Sequence, residues 1–281
     1  MNYLRIFLLF AKDLLQRRRM ILELARQDFR SKYLGSYLGI LWAFIHPTIY
    51  VTILWVVFQV GFKSQPAGDV PFVLWMLCGI IPWFFFSECL SSGTHSILEN
   101  AFLLKKVSFS VGMLPIVKIL SALVLHGFFI LIIFLMFLVY GQPVTLHCLQ
   151  VFYYLFCTIV LLLGLSWITS SVIIFFRDMG QIVGMVVQFL FWMTPIFWSA
   201  KILPPKYLNM VKLNPVYYIV EGYRESFIYH IWFWEGHYAL TAYFWGVTAS
   251  IFICGAVVFR RLRPHFADVL WCEAIPGTGE L

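Results

Sequence analysis

The stretch Asp28–Pro47, DFRSKYLGSYLGILWAFIHP, changes character within a few residues. It opens with Asp28, Arg30 and Lys32, and from Tyr33 onward no Asp, Glu, Lys or Arg occurs until Lys63. About 20 apolar residues are needed for an α-helix to cross a hydrocarbon core of about 30 Å, and Gly35–Gly61 meets that length. The junction therefore reads as the point where a basic segment outside the bilayer enters it. Gly35 and Gly39 stand four apart, a spacing that bares one helix face for close packing in lipid. That face is expected to meet another helix of the same subunit or a second copy of the chain.

The rest of the 281 residues extends this reading. The chain is 62% hydrophobic and 12% charged, about half the charge of a soluble domain, so much of its apolar surface must face lipid. Five further apolar segments follow the first: 72–90, 116–140, 148–176, 181–198 and 238–259. Pro47, Pro82 and Pro195 fall inside or at the ends of these spans, where neighbouring helices satisfy the carbonyls they free. The expected fold is an all-α integral membrane protein with six transmembrane helices. It is one membrane domain over 1–281: an interfacial segment 1–33, a bundle over 35–259 with an outer re-entrant segment 199–237, and a tail 260–281.

Basic residues orient the bundle. With six spans, 15 of the 20 Lys and Arg fall on the side that holds both termini and 5 on the other. The positive-inside rule places both termini in the cytoplasm. The net charge of +7 is accounted for by these loops and implies no nucleic acid. The N-terminus does not read as a cleavable signal, because its short apolar run is followed by KDLLQRRRM where small residues would be expected. Leu4, Phe7, Leu8, Ala11 and Leu15, then Ile21, Leu24, Ala25 and Phe29, recur at helical spacing. They predict amphipathic helices lying on the cytoplasmic membrane face.

Two polar excursions interrupt the bundle. Between the second and third spans, SSGTHSILENAFLLKKVSFSVGMLP keeps Ile97, Phe102 and Leu103 at helical spacing, and Ser96 with Glu99 has the pattern of a helix-start capping box. A short helix with apolar residues pointing away from the membrane is a docking element. Between the fifth and sixth spans, Pro204-Pro205 and Asn214-Pro215 break the chain into two short helices. Their Tyr and Trp content is too apolar for a free loop and predicts that they dip into the outer leaflet. Glu221 and Arg224, three apart, share a helix face and can pair.

Several chemistries have no sequence support. The six cysteines form no C-x-x-C and read as buried small hydrophobes, and no metal site is expected. No Walker A, G-x-S-x-G or H-E-x-x-H pattern occurs. Glu88 and His126 are the main ionisable groups inside the spans. They are too few for the proton relay of an ion-driven carrier, and His126 is expected to hydrogen-bond within the bundle. A membrane glycan ligase or acyltransferase would have to recruit the outer Glu221, Glu225, Glu235, His230 and His237, whose spacing matches no catalytic motif.

Six segments in this order carry a family resemblance: RSKYLGSYLGILWAFIHP, LLKKVSFSVGMLP, FFRDMGQIV, WMTPIFW, LNPVYYIVEGYR and FRRLRPHFADVL. They resemble the permease subunits of type-2 ABC exporters, in the branch that exports O-antigen, capsule or teichoic-acid chains. The chain departs from that family's F-P-x-E-x-L-P pattern at Ser110 and Gly112. The resemblance implies a homodimer in the cytoplasmic (inner) membrane, bound to two copies of a separate ATP-binding subunit. The chain itself then needs no cofactor; ATP and magnesium belong to the partner. An exporter of small amphipathic compounds in the same superfamily is the alternative.

The implied site residues are as follows. The segment around Ser96, Ile97, Glu99, Asn100, Phe102, Leu103, Lys105 and Lys106 would be the coupling helix that docks on the ATPase. Tyr217, Tyr218, Glu221 and Arg224 would belong to the outer gate. Sugar rings pack their C–H faces on aromatic side chains, so Trp42, Tyr50, Trp83, Phe189, Trp192 and Phe197 are candidate liners of a glycan path. Arg17, Arg18, Arg19, Arg26 and Arg30 are candidates for holding a lipid pyrophosphate head, because guanidinium groups contact phosphate oxygens in pairs. Attraction to anionic membrane lipid explains the same cluster.

Overall fold

The computed structural model describes residues 14–32, 37–61, 70–101, 110–235 and 238–272. Within them the regular structure is helical. Helix α1 (Arg18–Ser31) precedes the bundle. Helix α2 (Leu41–Trp55) continues as a π-helical stretch to Gly61, followed by α3 (Phe72–Glu99) and α4 (Leu114–Val139). Next come α5 (Gln150–Val172) and the short α6 (Met179–Met193). Two short helices, α7 (Pro205–Lys212) and α8 (Pro215–Arg224), lead through a π-helical turn at Glu225–Tyr229 to α9 (Tyr238–Leu262) and α10 (Phe266–Cys272).

Five helical stretches are long and apolar enough to cross a membrane: Leu41–Gly61, Phe72–Glu99, Val111–Val139, Leu146–Val172 and Tyr238–His265. The sixth expected span is shorter than its hydropathy suggested. Helix α6 has 15 residues, about 22 Å at 1.5 Å per residue, against a core of about 30 Å. It stops at Met193 because Thr194 is extended (φ −89°, ψ 132°), the conformation that a following proline imposes.

Helix α3 is the hub. It is buried over most of its length and packs against α4, α5, α6 and α8. Helices α5 and α9 make the closest pair, and glycines set their separation. A Cβ on Gly164 would lie 2.8 Å from Cα of Phe252, and one on Gly255 would collide with the carbonyl of Gly164. Small residues let two backbones approach in this way within a membrane. Helix α1 lays Ile21 and Ala25 on Met113 and Val117 at the start of α4, so these two residues of the face that the sequence assigned to the membrane surface are covered by the subunit itself. By contrast α2 is scarcely covered and touches the bundle through side chains such as Phe44 against Phe128 (4.4 Å between ring centres).

Three sequence expectations need correction. Gly39 does not contribute to a bare helix face: it sits in the turn before α2 at φ +52°, where glycine is favoured because a Cβ is strained. A Cβ there would meet nothing within 4 Å among the described residues, so none of the described helices packs on it; Gly35 lies outside the described residues. Ser96 and Glu99 do not start a helix either. They close α3, which runs nine residues past Leu90; within this extension Ser92 and Thr94 satisfy their hydroxyls on carbonyls four residues back (2.7 Å each). Finally, Ile97 does not project outward. It is fully buried with Val111, Leu114, Trp167 and Phe266, so it belongs to the subunit's own core. Phe102, Leu103, Lys105 and Lys106 lie outside the described residues.

Candidate functional site

Two polar clusters mark opposite ends of α3. At its C-terminal end, Lys118 Nζ of α4 lies 2.5 Å from Asp28 Oδ1 of α1 and 2.5 Å from Glu99 Oε2. Lys32 continues the chain of charges, 4.0 Å from Asp28 and 2.6 Å from Glu88. Alternating charges thus join α1, α3 and α4. Lys118 is buried, and a buried ammonium is tolerated because carboxylates face it.

At the other end of α3 stands Arg224, the last residue of α8 and 1% exposed. Its guanidinium donates from Nη1 to Glu221 Oε2 (3.1 Å) and from Nη2 to the Ile196 carbonyl (3.0 Å). It also lies over the Trp75 ring, 3.5 Å from the centroid, a cation–π arrangement. Gly79 makes room for it: a Cβ there would sit 2.8 Å from Nη2.

Helix α8 is set by its first residues. The Asn214 side chain accepts from the Val216 N–H (3.0 Å), and Pro215 occupies the first turn. The helix is buried along most of its length among α3, α5 and α9. Tyr217 and Tyr218 are buried with it, Tyr218 sharing hydroxyl bonds with Tyr153 and Thr241 (3.1 Å each). The next residue after the helix, Glu225, accepts from the Tyr154 hydroxyl (3.0 Å), and its burial raises the carboxyl pKa to about 7.

A groove of about 570 Å³ lies between α2, α3 and α4, beside the Lys32–Glu88 pair. Three helix faces wall it: Trp42, His46 and Tyr50 from α2; Phe84, Phe85 and Glu88 from α3; Ser121, His126 and Phe129 from α4. Lys32 stands at one end. At the other, His126 Nε2 shares a hydrogen bond with the Tyr223 hydroxyl of α8 (2.9 Å). Eight residues of α4 separate Ser121 from Phe129, about 12 Å of depth.

The candidate residues divide among these places. Trp42 and Tyr50 line the groove. Trp83 does not, being 3% exposed and packed between Phe86 and Phe191. Phe189 and Trp192 project from the exposed face of α6, and Phe197 stacks on Phe58 (5.1 Å, 8°). Arg18, Arg19, Arg26 and Arg30 are exposed along α1, with Arg17 half-buried beside them. Asn100 caps the end of α3, its side-chain amide donating to the Ser96 carbonyl (2.9 Å). Glu221 and Arg224 pair as their spacing predicted. Sequence reasoning missed Lys118 and Asp28, whose ion pair joins positions 90 apart, and it missed the Trp75–Gly79 seat of Arg224.

Comparison with known proteins follows this layout. The ABC-2 type transporter family matches residues 19–228, from α1 through α8. An O-antigen export system permease protein of Myxococcus xanthus is 27% identical over 265 residues, 92% of this chain and 97% of that protein. One from Klebsiella pneumoniae is 25% identical over 256 residues, 89% and 95% of the two chains. A polysialic acid transport protein of Escherichia coli is 23% identical over 202 residues, 71% and 78%. The matched family covers most of the chain, including both charged clusters and the groove, and the chain belongs to the ABC-2 type transporter family.

Proposed function

We propose that this chain is the transmembrane subunit of an ATP-driven exporter that moves a lipid-linked polysaccharide across the cytoplasmic membrane. The carrying observation is near full-length similarity to permeases named for O-antigen export, in a chain with no nucleotide-binding motif of its own. ATP hydrolysis then belongs to a separate subunit, two copies of which serve two copies of this chain. Leu41, Ile49 and Ile53 on α2, and Met185, Phe189 and Trp192 on α6, are exposed, surface that lipid or the second copy would cover.

On this reading the α1 end faces the cytoplasm with both termini, and α8 re-enters from the outer side as the gate. The exposed arginines of α1 meet phosphate groups at the inner leaflet. The connection after Glu99, with Phe102, Leu103, Lys105 and Lys106, docks on the ATPase. Because Ile97 is core, charges that test docking belong at Phe102 and Leu103.

Inactivating the chain in its own cell tests the reading. Surface polysaccharide is expected to disappear while lipid-linked glycan accumulates inside. Normal surface polymer would overturn it. In parallel, the tagged chain is purified and its companions are labelled with azido-ATP. A labelled subunit is expected with the wild type and not with Phe102→Asp/Leu103→Asp.

A further inference from the structure

Beyond α8 the chain is fastened to the connection between α4 and α5 in two ways. Gln150, the buried first residue of α5, makes a neutral clamp. Its side-chain amide donates to the Ile231 carbonyl (2.9 Å), and its Oε1 accepts from the Phe233 N–H (2.7 Å). The second fastening is titratable. The half-buried Thr145 hydroxyl lies 3.2 Å from His147 Nδ1 and 2.9 Å from His230 Nδ1, and the two imidazole centres are 5.7 Å apart. Trp232 packs on the His147 ring (4.6 Å), which ties the same connection to the segment after His230. The His230 backbone is left-handed (φ +52°, ψ 44°), a region uncommon for residues other than glycine. The bond to Thr145, together with that of the Ile231 N–H to the Glu225 carbonyl (3.2 Å), holds it there.

The shared hydroxyl sets a condition on protonation. It carries one hydrogen, so with both imidazoles neutral Thr145 donates to one Nδ1 and accepts from the other. A proton on the accepting Nδ1 removes that acceptor, and the charge then stands beside a second titratable ring. A second proton puts like charges on adjacent rings. The carboxylates of the same segment are engaged elsewhere: Glu221 with Arg224, Glu225 with the Tyr154 hydroxyl and Glu235 with the Trp232 N–H. Tyr229 accepts from the Trp75 indole. From the other side α5 and the turn before it bring Cys148, Tyr153 and Tyr154, groups that are uncharged in acid. Burial and His147 lower the His230 pKa below its ordinary 6.5, so the fastened state excludes the proton. Its contribution is complete above pH 6.5 and is lost as pH falls through the lowered value.

We propose that Thr145, His147 and His230 form a proton-sensitive latch, closed at neutral pH and open in acid, that fastens the segment leaving α8 to the α4–α5 connection. Gln150 has no group that titrates in this range and keeps its two bonds at either pH, so acid loosens the segment without releasing it. The latch does not depend on what the protein transports. On the export reading it makes the mobility of the gate's exit follow the acidity outside the membrane.

Hydrogen exchange of the backbone amides in 231–235 tests the latch. It is read by mass spectrometry on the purified protein and corrected for the intrinsic rates, at about pH 8 and about pH 5, the range in which histidines change charge. Protection is expected to fall about fivefold or more in acid. Thr145→Val keeps the side-chain shape and removes the hydroxyl, so its protection at the higher pH should already match that of the wild type in acid. His230→Asn tolerates the left-handed backbone and cannot titrate, so its protection should not change with pH. Glu225, whose carboxyl titrates near 7, gains its proton in acid and works in the opposite sense; Glu225→Gln and Glu235→Gln should both leave the fall in place. Equal wild-type protection at the two pH values, wild-type protection of Thr145→Val at the higher one, an undiminished fall in His230→Asn, or a fall abolished by either glutamine overturns the proposal. The wild-type comparison needs no variant, so it decides even where a substitution unfolds the chain.

Discussion

The two ends of α3 hold their charges in opposite ways. At the α8 end, Arg224 is sealed from solvent and held by a carboxylate, a carbonyl and an indole face. At the α1 end, Lys118 is equally buried, but its partner Glu99 is about half exposed, and so is Glu88, the partner of Lys32. The first cluster has one arrangement. In the second, carboxylates already in contact with water can exchange a partner for solvent at small cost. On the proposed export reading, a gate that stays shut between cycles would suit the first construction, and a link to an ATPase-facing connection would suit the second. The difference makes quantitative demands.

The largest effect is expected from Arg224→Met. It leaves Glu221 unpaired and the Ile196 carbonyl without its donor, and breaking a buried pair in this way costs about 3–5 kcal/mol. The melting temperature of the purified protein should fall by roughly 6 °C or more, on a scale of about 2–4 °C per kcal/mol for a chain of this order of size. Gly79→Ala should reproduce part of the loss without removing any charge, since the new methyl would stand 2.8 Å from Nη2 and displace it; overpacking costs about 1–3 kcal/mol. An unchanged melting temperature in both would mean that the guanidinium does not hold α8 in place.

Lys118→Met comes next. Asp28 loses its closest cation and among the described residues keeps Lys32 at 4.0 Å, whereas Glu99 can turn to water. The expected cost is about 2–3 kcal/mol, felt at α1 rather than throughout the bundle. A disulfide between Ile21→Cys and Val117→Cys, neighbours in the packed pair, should form more slowly in this background. Equal rates would show that apolar packing alone seats α1.

Glu225 separates the ends by pH. Its carboxyl titrates near 7 in the folded protein against an ordinary value of 4.5. The folded state therefore binds more protons between those values, and stability should decline as pH rises through pH 4.5–7, then level off. Glu225→Gln should flatten that decline. A decline that persists in the variant would assign it to another group whose pKa folding raises; His230 cannot supply it, because burial and the neighbouring His147 lower its pKa and give a slope of opposite sign.

How much of this was legible in the sequence follows from the range of each interaction. Apolar runs located the spans because hydropathy is a local property. Glu221 with Arg224, and Asn214 before Pro215, were legible because their partners lie within one turn. Lys118 was not: its carboxylates stand 19 and 90 residues away, and no local pattern distinguishes it from a loop lysine. Helix ends failed for a related reason. Polar SSGTHS reads as a connection, yet Ser92 and Thr94 satisfy their hydroxyls on the helix's own carbonyls and the segment stays within α3. Ile97 then fell inside the core rather than on a docking face. Aromatic residues were the least legible. Trp42 and Trp83 look alike in sequence, but one lines a groove and the other fills the interior.

Glu88→Gln gives the smallest effect and the sharpest test of the contrast. Glu88 accepts from Lys32 at 2.6 Å, a geometry no worse than that of Arg224. If distance alone set the strength of an ion pair, its loss would rival that of Arg224→Met. The Glu88 side chain is 49% exposed, however, so water replaces the lost partner, and Lys32 retains Asp28 at 4.0 Å. Exposed pairs contribute about 0–1 kcal/mol and are screened by salt. The melting temperature should therefore move by no more than about 2–4 °C at low salt, and the difference from wild type should shrink further in high salt. Arg224→Met should show the same loss at both ionic strengths. A large, salt-independent loss in Glu88→Gln would place both ends of α3 in one class and remove the distinction between a sealed cluster and one whose carboxylates share water.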